Sequence, residues 1–347
     1  MTRAELLELV NEARHAPSVH NIQPARWALE SANTLVLHAD PGRRLPIADP
    51  TGHDVRVSLG AACEGMAIAL ARRGLSAAPP RLMKRAAVGS EPPGHPEREA
   101  KREPARPVPI AALAFERGAA LEPLADAVLR RAAYRGTFAA TAPPALDRLE
   151  RRVASEGMIV ARDRSRIREL ARVADGAGEE FLLEPGYWRE TWQWLRLSPS
   201  HPGWSRDGLN ADALALNGVE RLLGRWLMAP AGFEAMRRLG LARSLISERS
   251  KIESAGALLI FSAPMTEDPF ETGRAFYRRW LEVTASGLAL CPMSVLADSK
   301  RANAQVREMF SLPADHRLVN VFRVGSAPAG FPAALTARLP AEELLVG

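Results

Sequence analysis

The chain has 347 residues, 47% of them hydrophobic and 25% charged, an ordinary globular composition for one large or two smaller domains. No run approaches the ~18 consecutive apolar residues that a membrane helix needs. The start carries Glu5, Glu8 and Glu12 where a secretory leader would be apolar, so a cytoplasmic location with no membrane partner is expected. The net charge of +6 would suit nucleic acid or a small anion. However, acids interleave the basic residues, and no basic stripe with aromatics, zinc finger or helix-turn-helix signature is present, so nucleic acid is not expected.

Thr2 and Glu5 read as a capping box. The helix it opens buries Leu6, Leu9, Val10 and Ala13 at helical spacing, and Pro17 stops it. The loop APSVHNIQPARW follows, then a strand at 34–40 and a turn at Pro41-Gly42. A second helix from about Val57 to Arg73 places Leu59, Ala62, Cys63, Met66 and Leu70 on one face, with Gly74 as its C-terminal cap. Residues 77–109, rich in proline and charge, read as an irregular connection, and 106–117 includes a strand. A third helix is predicted from Leu121 to Tyr134 with Leu124, Val128 and Leu129 inward, and further helices at 144–156 and 163–183. A segment holding Trp188, Trp192, Trp194 and Trp204 comes next. The apolar run 257–264 reads as a buried strand. A helix from about Thr272 to Ala285 carries Phe276, Trp280 and Val283, and a last strand spans 317–325. Helices outnumber strands, which argues for an α+β fold, a central sheet with helices packed around it.

Several chemistries have no sequence support. There is no Gly-x-Ser-x-Gly elbow, Walker A loop or GxGxxG fingerprint. The seven histidines show no zinc spacing, and Cys63 and Cys291 make neither a disulfide framework nor a metal knuckle. That pattern fits an enzyme whose cofactor carries the hard chemistry. Three segments stand out. Residues 16–24, APSVHNIQP, gather hydroxyl, amide and imidazole groups after a helix, as a ligand loop or as a turn that satisfies its own backbone. Arg131 and Arg135 share one face if the helix persists that far. They could clamp a phosphate or simply end a solvated helix. In GLALCPMS, Gly287 and Pro292 bracket an apolar turn that either admits a flat ring or is a plain helix-to-loop transition.

Together these segments resemble the nitroreductase family of FMN enzymes. The first is similar to that family's APSxxNxQPW loop, with Ala25 where tryptophan is usual. The third is similar to the turn at the flavin N5 edge, and Ala337-Arg338-Leu339-Pro340 to the terminal phosphate arginine. The order departs from the family: the loop comes first, at residue 16, and the arginine pair later, at 131. The resemblance therefore implies a duplicated single chain acting as its own pseudo-dimer, similar to long nitroreductase-like proteins associated with bacterial dormancy. It also implies a mainly antiparallel sheet, a first half at 1–117 and a second at 118–347, with a Trp-rich insert at about 184–250.

Carried over by position, Arg131, Arg135 and Arg338 hold the FMN phosphate, with Ala133 where a serine is usual. Pro17, Ser18, Asn21 and Gln23 approach from the other half. Pro292, Met293 and Ser294 sit beside the ring, and Arg323 and Gly325 lie nearby on the last strand. No protein side chain is expected to be catalytic, and no metal is expected. The implied activity is FMN-dependent oxidation of NAD(P)H with a nitroaromatic, quinone or similar small-molecule acceptor. The alternative is a flavin storage protein whose insert forms a lid, and a third possibility is a fold that has lost flavin. The chain would be a monomeric pseudo-dimer or a homodimer.

Overall fold

The computed structural model describes residues 1–83, 106–118, 122–153, 158–184, 186–331 and 337–346. Helix α1 (Arg3–Ala13) opens with the expected capping box: the Thr2 side chain accepts from the Glu5 N–H, and Glu5 returns the bond to the Thr2 N–H at 2.6 Å. The hairpin of β1 (Ala25–Ser31) and β2 (Thr34–Ala39) follows, then helix α2 (His53–Ala71), β3 (Leu75–Ala77), β4 (Arg81–Leu82) and β5 (Val108–Arg117). These strands form one antiparallel sheet ordered β1-β2-β5-β3, with β4 also on β5. The sequence reading missed β1: it took residues 25–27 as loop and assigned no element to 28–31. Most of the predicted irregular connection at 77–109 lies outside the described residues.

The second half begins with α3 (Pro143–Val153), β6 (Ile159–Ala161) and α4 (Arg164–Leu183). An insert then runs through α5 (Tyr187–Gln193), the parallel pair β7 (Leu195–Arg196) and β8 (Leu209–Asn210), and α6 (Gly218–Leu227), α7 (Pro230–Arg238), α8 (Ala242–Ile246) and α9 (Arg249–Glu253). It continues with β9 (Ala257–Pro264), α10 (Pro269–Ala285), β10 (Ala289–Pro292), α11 (Val295–Asp298), α12 (Lys300–Met309) and β11 (His316–Gly325). Its antiparallel sheet is ordered β10-β11-β9-β6. The class is α+β and the main sheets are antiparallel, but the sheet is divided into two, one in each half.

The run at 257–264 shows why a strand can be apolar throughout. Leu258 and Ile260 enter a core with α4 and α12, while Ala257, Leu259 and Phe261 enter another with α3 and α10. Alternate residues face opposite sides, and here both sides are covered.

Helices α2 and α10 cross between the two sheets. A Cβ on Gly60 would lie 1.9 Å from the Phe270 carbonyl oxygen, and one on Gly273 would lie 2.0 Å from that of Val57. The contact is reciprocal, each helix giving one glycine and one backbone oxygen. Across the same contact, buried Glu64 accepts from Arg274 Nε at 3.0 Å and Arg278 Nη1 at 2.8 Å.

The third predicted helix is the main correction. Among its described residues only a short 3-10 turn, Ala125–Ala127, forms there. Tyr134 N–H donates to the Leu290 carbonyl at 2.9 Å, and Ala133 bridges Leu290. Pairing with the edge of β10 takes the hydrogen bonds a helix would have used, so tertiary context overrides propensity. Leu124 and Val128 are buried as expected, but Leu129 is 57% exposed. Arg131 and Arg135 therefore do not share a helix face.

Candidate functional site

Four segments converge on a cavity of about 290 Å³: the loop at 17–21, the start of α2, the chain at 131–135 and the end of β10. Of the residues predicted from the sequence, Pro17, Ser18, Asn21, Arg131, Arg135, Pro292, Ser294 and Arg338 line it. Gln23, Met293, Arg323 and Gly325 do not.

Each of those four has another place in the structure. Gln23 is buried, with Nε2 donating to the Arg206 carbonyl and Oε1 accepting from Leu339 N–H at 2.9 Å. Met293 packs in the core beneath α11, and its N–H bonds the Val321 carbonyl. Arg323 is fully buried on β11, where Nη1 donates to the Gly136 carbonyl at 2.6 Å. Gly325 leaves room for Phe138, whose ring carbons a Cβ would approach to 2.8 Å. Arg323 and Gly325 thus support the chain at 131–138 from below.

Three arginines reach the cavity wall by different routes. Arg131 is buried, donates to the His15 carbonyl at 2.8 Å, and stacks over the Trp280 ring at 4.5 Å. Arg135 donates to the Ala213 carbonyl at 3.2 Å. Arg338 is buried and bonded to the carbonyls of Arg14, His15, Ala16 and Ala337 and to Asn21 Oδ1. Among the described residues none of the three pairs with a carboxylate. Burial first, then the charge of Arg131, brings the Arg338 guanidinium down to about 9.

Two of the unsatisfied groups at this wall are donors, beside His20 Nδ1, whose role depends on the tautomer. Arg131 Nε and Trp280 Nε1 are buried without a hydrogen-bond partner, and both can only donate. Native interiors leave few such groups unpaired. An occupant rich in acceptors and negative charge would satisfy the wall. Phe276, Trp280 and Phe331 supply apolar lining, and the volume is near the lower end of the usual ligand-pocket range of about 300–1,000 Å³.

The loop is held in strained backbone. His20, Asn21 and Gln23 have φ of 44°, 56° and 52°, the left-handed region that non-glycine residues rarely adopt. Side-chain bonds fix this shape. Ser18 Oγ accepts from Gln23 N–H at 3.0 Å, and Ser58 Oγ on α2 accepts from Val19 N–H at 3.1 Å.

The insert reaches the cavity, though not through its tryptophans. Leu209 and Ala213 line it, whereas Trp188 stacks on Phe233 at 4.0 Å and bonds the Met228 carbonyl. Sequence reasoning also missed Asp54, Phe276, Trp280 and Phe331 as lining residues, and gave His20 only as part of its loop. The spacing of Phe276 and Trp280 on α10 was legible, but their facing a cavity required knowing what α10 packs against.

Among the described residues no cluster suited to a metal is present, and no helix is long and apolar enough to cross a membrane. No family model matches the chain. Solved structures similar to it include the FMN-dependent nitroreductase NfnB of Mycobacterium smegmatis in complex with NADPH, at 20% identity and a TM-score of 0.34, covering 62% of this chain and 94% of that one. A Bacteroides fragilis nitroreductase with bound FMN is 13% identical with a TM-score of 0.34, covering 60% and 90%. The uncharacterized proteins Rv3127 and MT3212, of Mycobacterium tuberculosis strains ATCC 25618 / H37Rv and CDC 1551 / Oshkosh, are each 28% identical over 349 residues, spanning 96% of this chain and 90% of theirs.

Proposed function

We propose that the cavity binds one FMN and that the protein is an FMN-dependent NAD(P)H oxidoreductase of nitroreductase type. The observation that carries this reading is the convergence of Arg131, Arg135 and Arg338, without a carboxylate partner among the described residues, on a cavity with aromatic lining. Arg131 and Arg135 would form the charge-assisted bonds to a phosphate, while Arg338, whose five N–H groups are all bonded to carbonyls and Asn21, contributes positive charge. Pro17, Ser18, Pro292 and Ser294 border the remaining space. Asn21 and Gln23 act one step back, Asn21 by bonding Arg338 and both by fixing the loop.

Bound FMN would supply hydride exchange between NAD(P)H and a small acceptor such as a nitroaromatic or quinone. The protein's own contribution is orientation and charge: the arginines anchor the anion, and the rigid loop and the β10 turn shape the place for the ring. The reciprocal α2–α10 crossing supports a duplicated chain with halves at 1–117 and 118–347, which puts a subunit contact inside one molecule and permits a monomer.

A specific observation favours the storage reading as the second possibility. The strap at 206–213, turns on either side of the two-residue strand β8, is tied across the loop: Asn21 Nδ2 bonds the Gly208 carbonyl at 3.0 Å, Gln23 the Arg206 carbonyl at 2.8 Å, and Arg135 the Ala213 carbonyl. A strap so attached restricts entry for a second substrate.

The visible spectrum of the purified protein, before and after anaerobic NADPH, separates these readings. A flavin band that NADPH bleaches supports the oxidoreductase. A band that only dithionite removes supports shielded storage. If no band forms even after incubation with FMN, both readings are wrong.

A further inference from the structure

We infer that the outward face of α6 is an interface at which two copies of this chain pair, α6 against α6 across a two-fold axis. The inference is independent of the FMN reading, because no residue of this face lines the cavity.

Four of the nine large apolar side chains that are exposed among the described residues stand on this one ten-residue helix. Val219, Leu222, Leu223 and Trp226 are 67%, 60%, 48% and 67% exposed. Their spacing of i, i+3, i+4 and i+7 gathers them into one stripe, which in a surface helix normally faces the core. Here buried Gly224 lies on the core side instead. Both ends of the helix are fixed. Asn217 and Glu220 form a capping box, Arg221 bonds Asp212 at 2.6 Å and the Leu216 carbonyl at 2.8 Å, and Trp188 Nε1 donates to the Met228 carbonyl at 2.9 Å. The stripe is therefore presented by an anchored helix, which lowers the ordering cost of pairing.

Area and charge favour a second copy as the occupant. The four side chains expose about 500 Å², so a two-fold contact buries about 1,000 Å², the size at which specific interfaces begin. The patch also has the composition of such a contact: apolar at its centre, with a tryptophan and an arginine, Arg225, whose guanidinium lies 5.5 Å from the centre of the Trp226 ring. Turned end for end, the stripe is complementary to itself. Val219 faces the partner's Trp226 and Leu222 faces the partner's Leu223, as an isologous contact requires. A bilayer surface fits less well. A helix seated on anionic lipid carries cations on its polar face, whereas at 3.6 residues per turn α6 has Glu220 on one flank of the stripe and Arg225 on the other.

Sedimentation equilibrium tests the pairing. The average mass of the wild type should rise toward twice that of one chain between about 1 and 100 µM, the range suited to an interface at the small end. Leu222→Glu and Trp226→Glu put a charge into the stripe and should stay at the mass of one chain throughout. Their melting temperatures should match the wild type measured at the lowest concentration, because both side chains are exposed. In Leu223→Cys, near the midpoint of the stripe, a short bismaleimide should join the residue to its own copy; the native Cys63 and Cys291 are buried and do not compete. A wild type that stays single over the whole range, or a dimer that both glutamate variants retain, would overturn the inference. A Leu223→Cys dimer that the reagent fails to join would overturn the two-fold arrangement. Binding of the single chain to vesicles of phosphatidylglycerol and phosphatidylcholine, lost in Trp226→Glu, would overturn it in favour of a membrane surface.

Discussion

Asp54 shows how one side chain can set a pH response. It lines the cavity on the first turn of α2, next to buried Asp49. Burial, then the Asp49 charge, raises its carboxyl from 3.8 to about 7. A raised carboxyl favours folding fully below its unfolded value, and that contribution is lost as pH rises through the folded value. His15 and His20 work the other way. Both are lowered from 6.5 to about 4, chiefly by burial and then by Arg338 and Arg135 respectively. Their contribution is complete above 6.5 and lost as pH falls toward 4. Between pH 6.5 and 8, therefore, Asp54 acts without the histidines but together with Asp298, whose carboxyl is raised to about 8 by burial and then by the Asp54 charge. The melting temperature should fall across that window, and Asp54→Asn should reduce the fall. An equal fall in wild type and variant would remove Asp54 as its cause.

At the scale of elements, the α2–α10 crossing is the contact least tolerant of change. A methyl at Gly60 or Gly273 would meet a backbone oxygen at about 2 Å, and a backbone oxygen cannot turn aside as a side chain can. Gly60→Ala and Gly273→Ala should each destabilise by about 1–3 kcal/mol or more, read by denaturant unfolding. Because either methyl separates the same two helices, the double variant should cost less than the sum of the two. Full additivity would mean that the crossing yields locally at each glycine. Both helices also carry cavity residues, Asp54, Val57 and Ser58 on α2 and Phe276 and Trp280 on α10. A widened crossing should therefore weaken FMN binding as well.

Across the whole molecule, the C-terminal segment returns to the first half. Leu339, Ala341 and Leu344 are buried in the core with α1, β1 and α2, and Val346 N–H bonds the Trp27 carbonyl at 2.8 Å. Arg338, at the head of this segment, bonds the end of α1 and Asn21. Deleting residues 341–347 should lower the melting temperature through the loss of Leu344, a buried leucine worth about 2–5 kcal/mol. Deleting from 337 onward should lower it further and also abolish tight FMN binding. An unchanged melting temperature after the longer deletion would show that the first half holds together without the segment. This return also crosses the boundary drawn at 117/118 from the sequence, since the last residues of the second half complete the core of the first.

The sequence alone determined the local elements whose signals are local. The capping box placed the start of α1, and the apolar run at 257–264 marked β9 at both ends. The motif residues Pro17, Ser18, Asn21, Arg131, Arg135, Pro292, Ser294 and Arg338 were named from the resemblance of their segments to nitroreductase motifs, and the fold brings all eight to one cavity. Tertiary structure decided what depended on partners distant in sequence. The stretch around Arg131 has helical spacing, but it pairs with the edge of β10 because the Leu290 carbonyl offers Tyr134 a bond there. Gln23, Arg323 and Gly325 carry motif identity, yet their neighbours turn them into supports of the cavity and not parts of its wall. Nothing adjacent in sequence marks how the polar groups of the 18–23 loop are satisfied: Ser18, Asn21 and Gln23 bond to one another and to residues more than 180 positions away. Periodicity and capping chemistry report bonds made within a few residues, whereas which polar atoms are left without a partner is fixed only when the whole chain has folded.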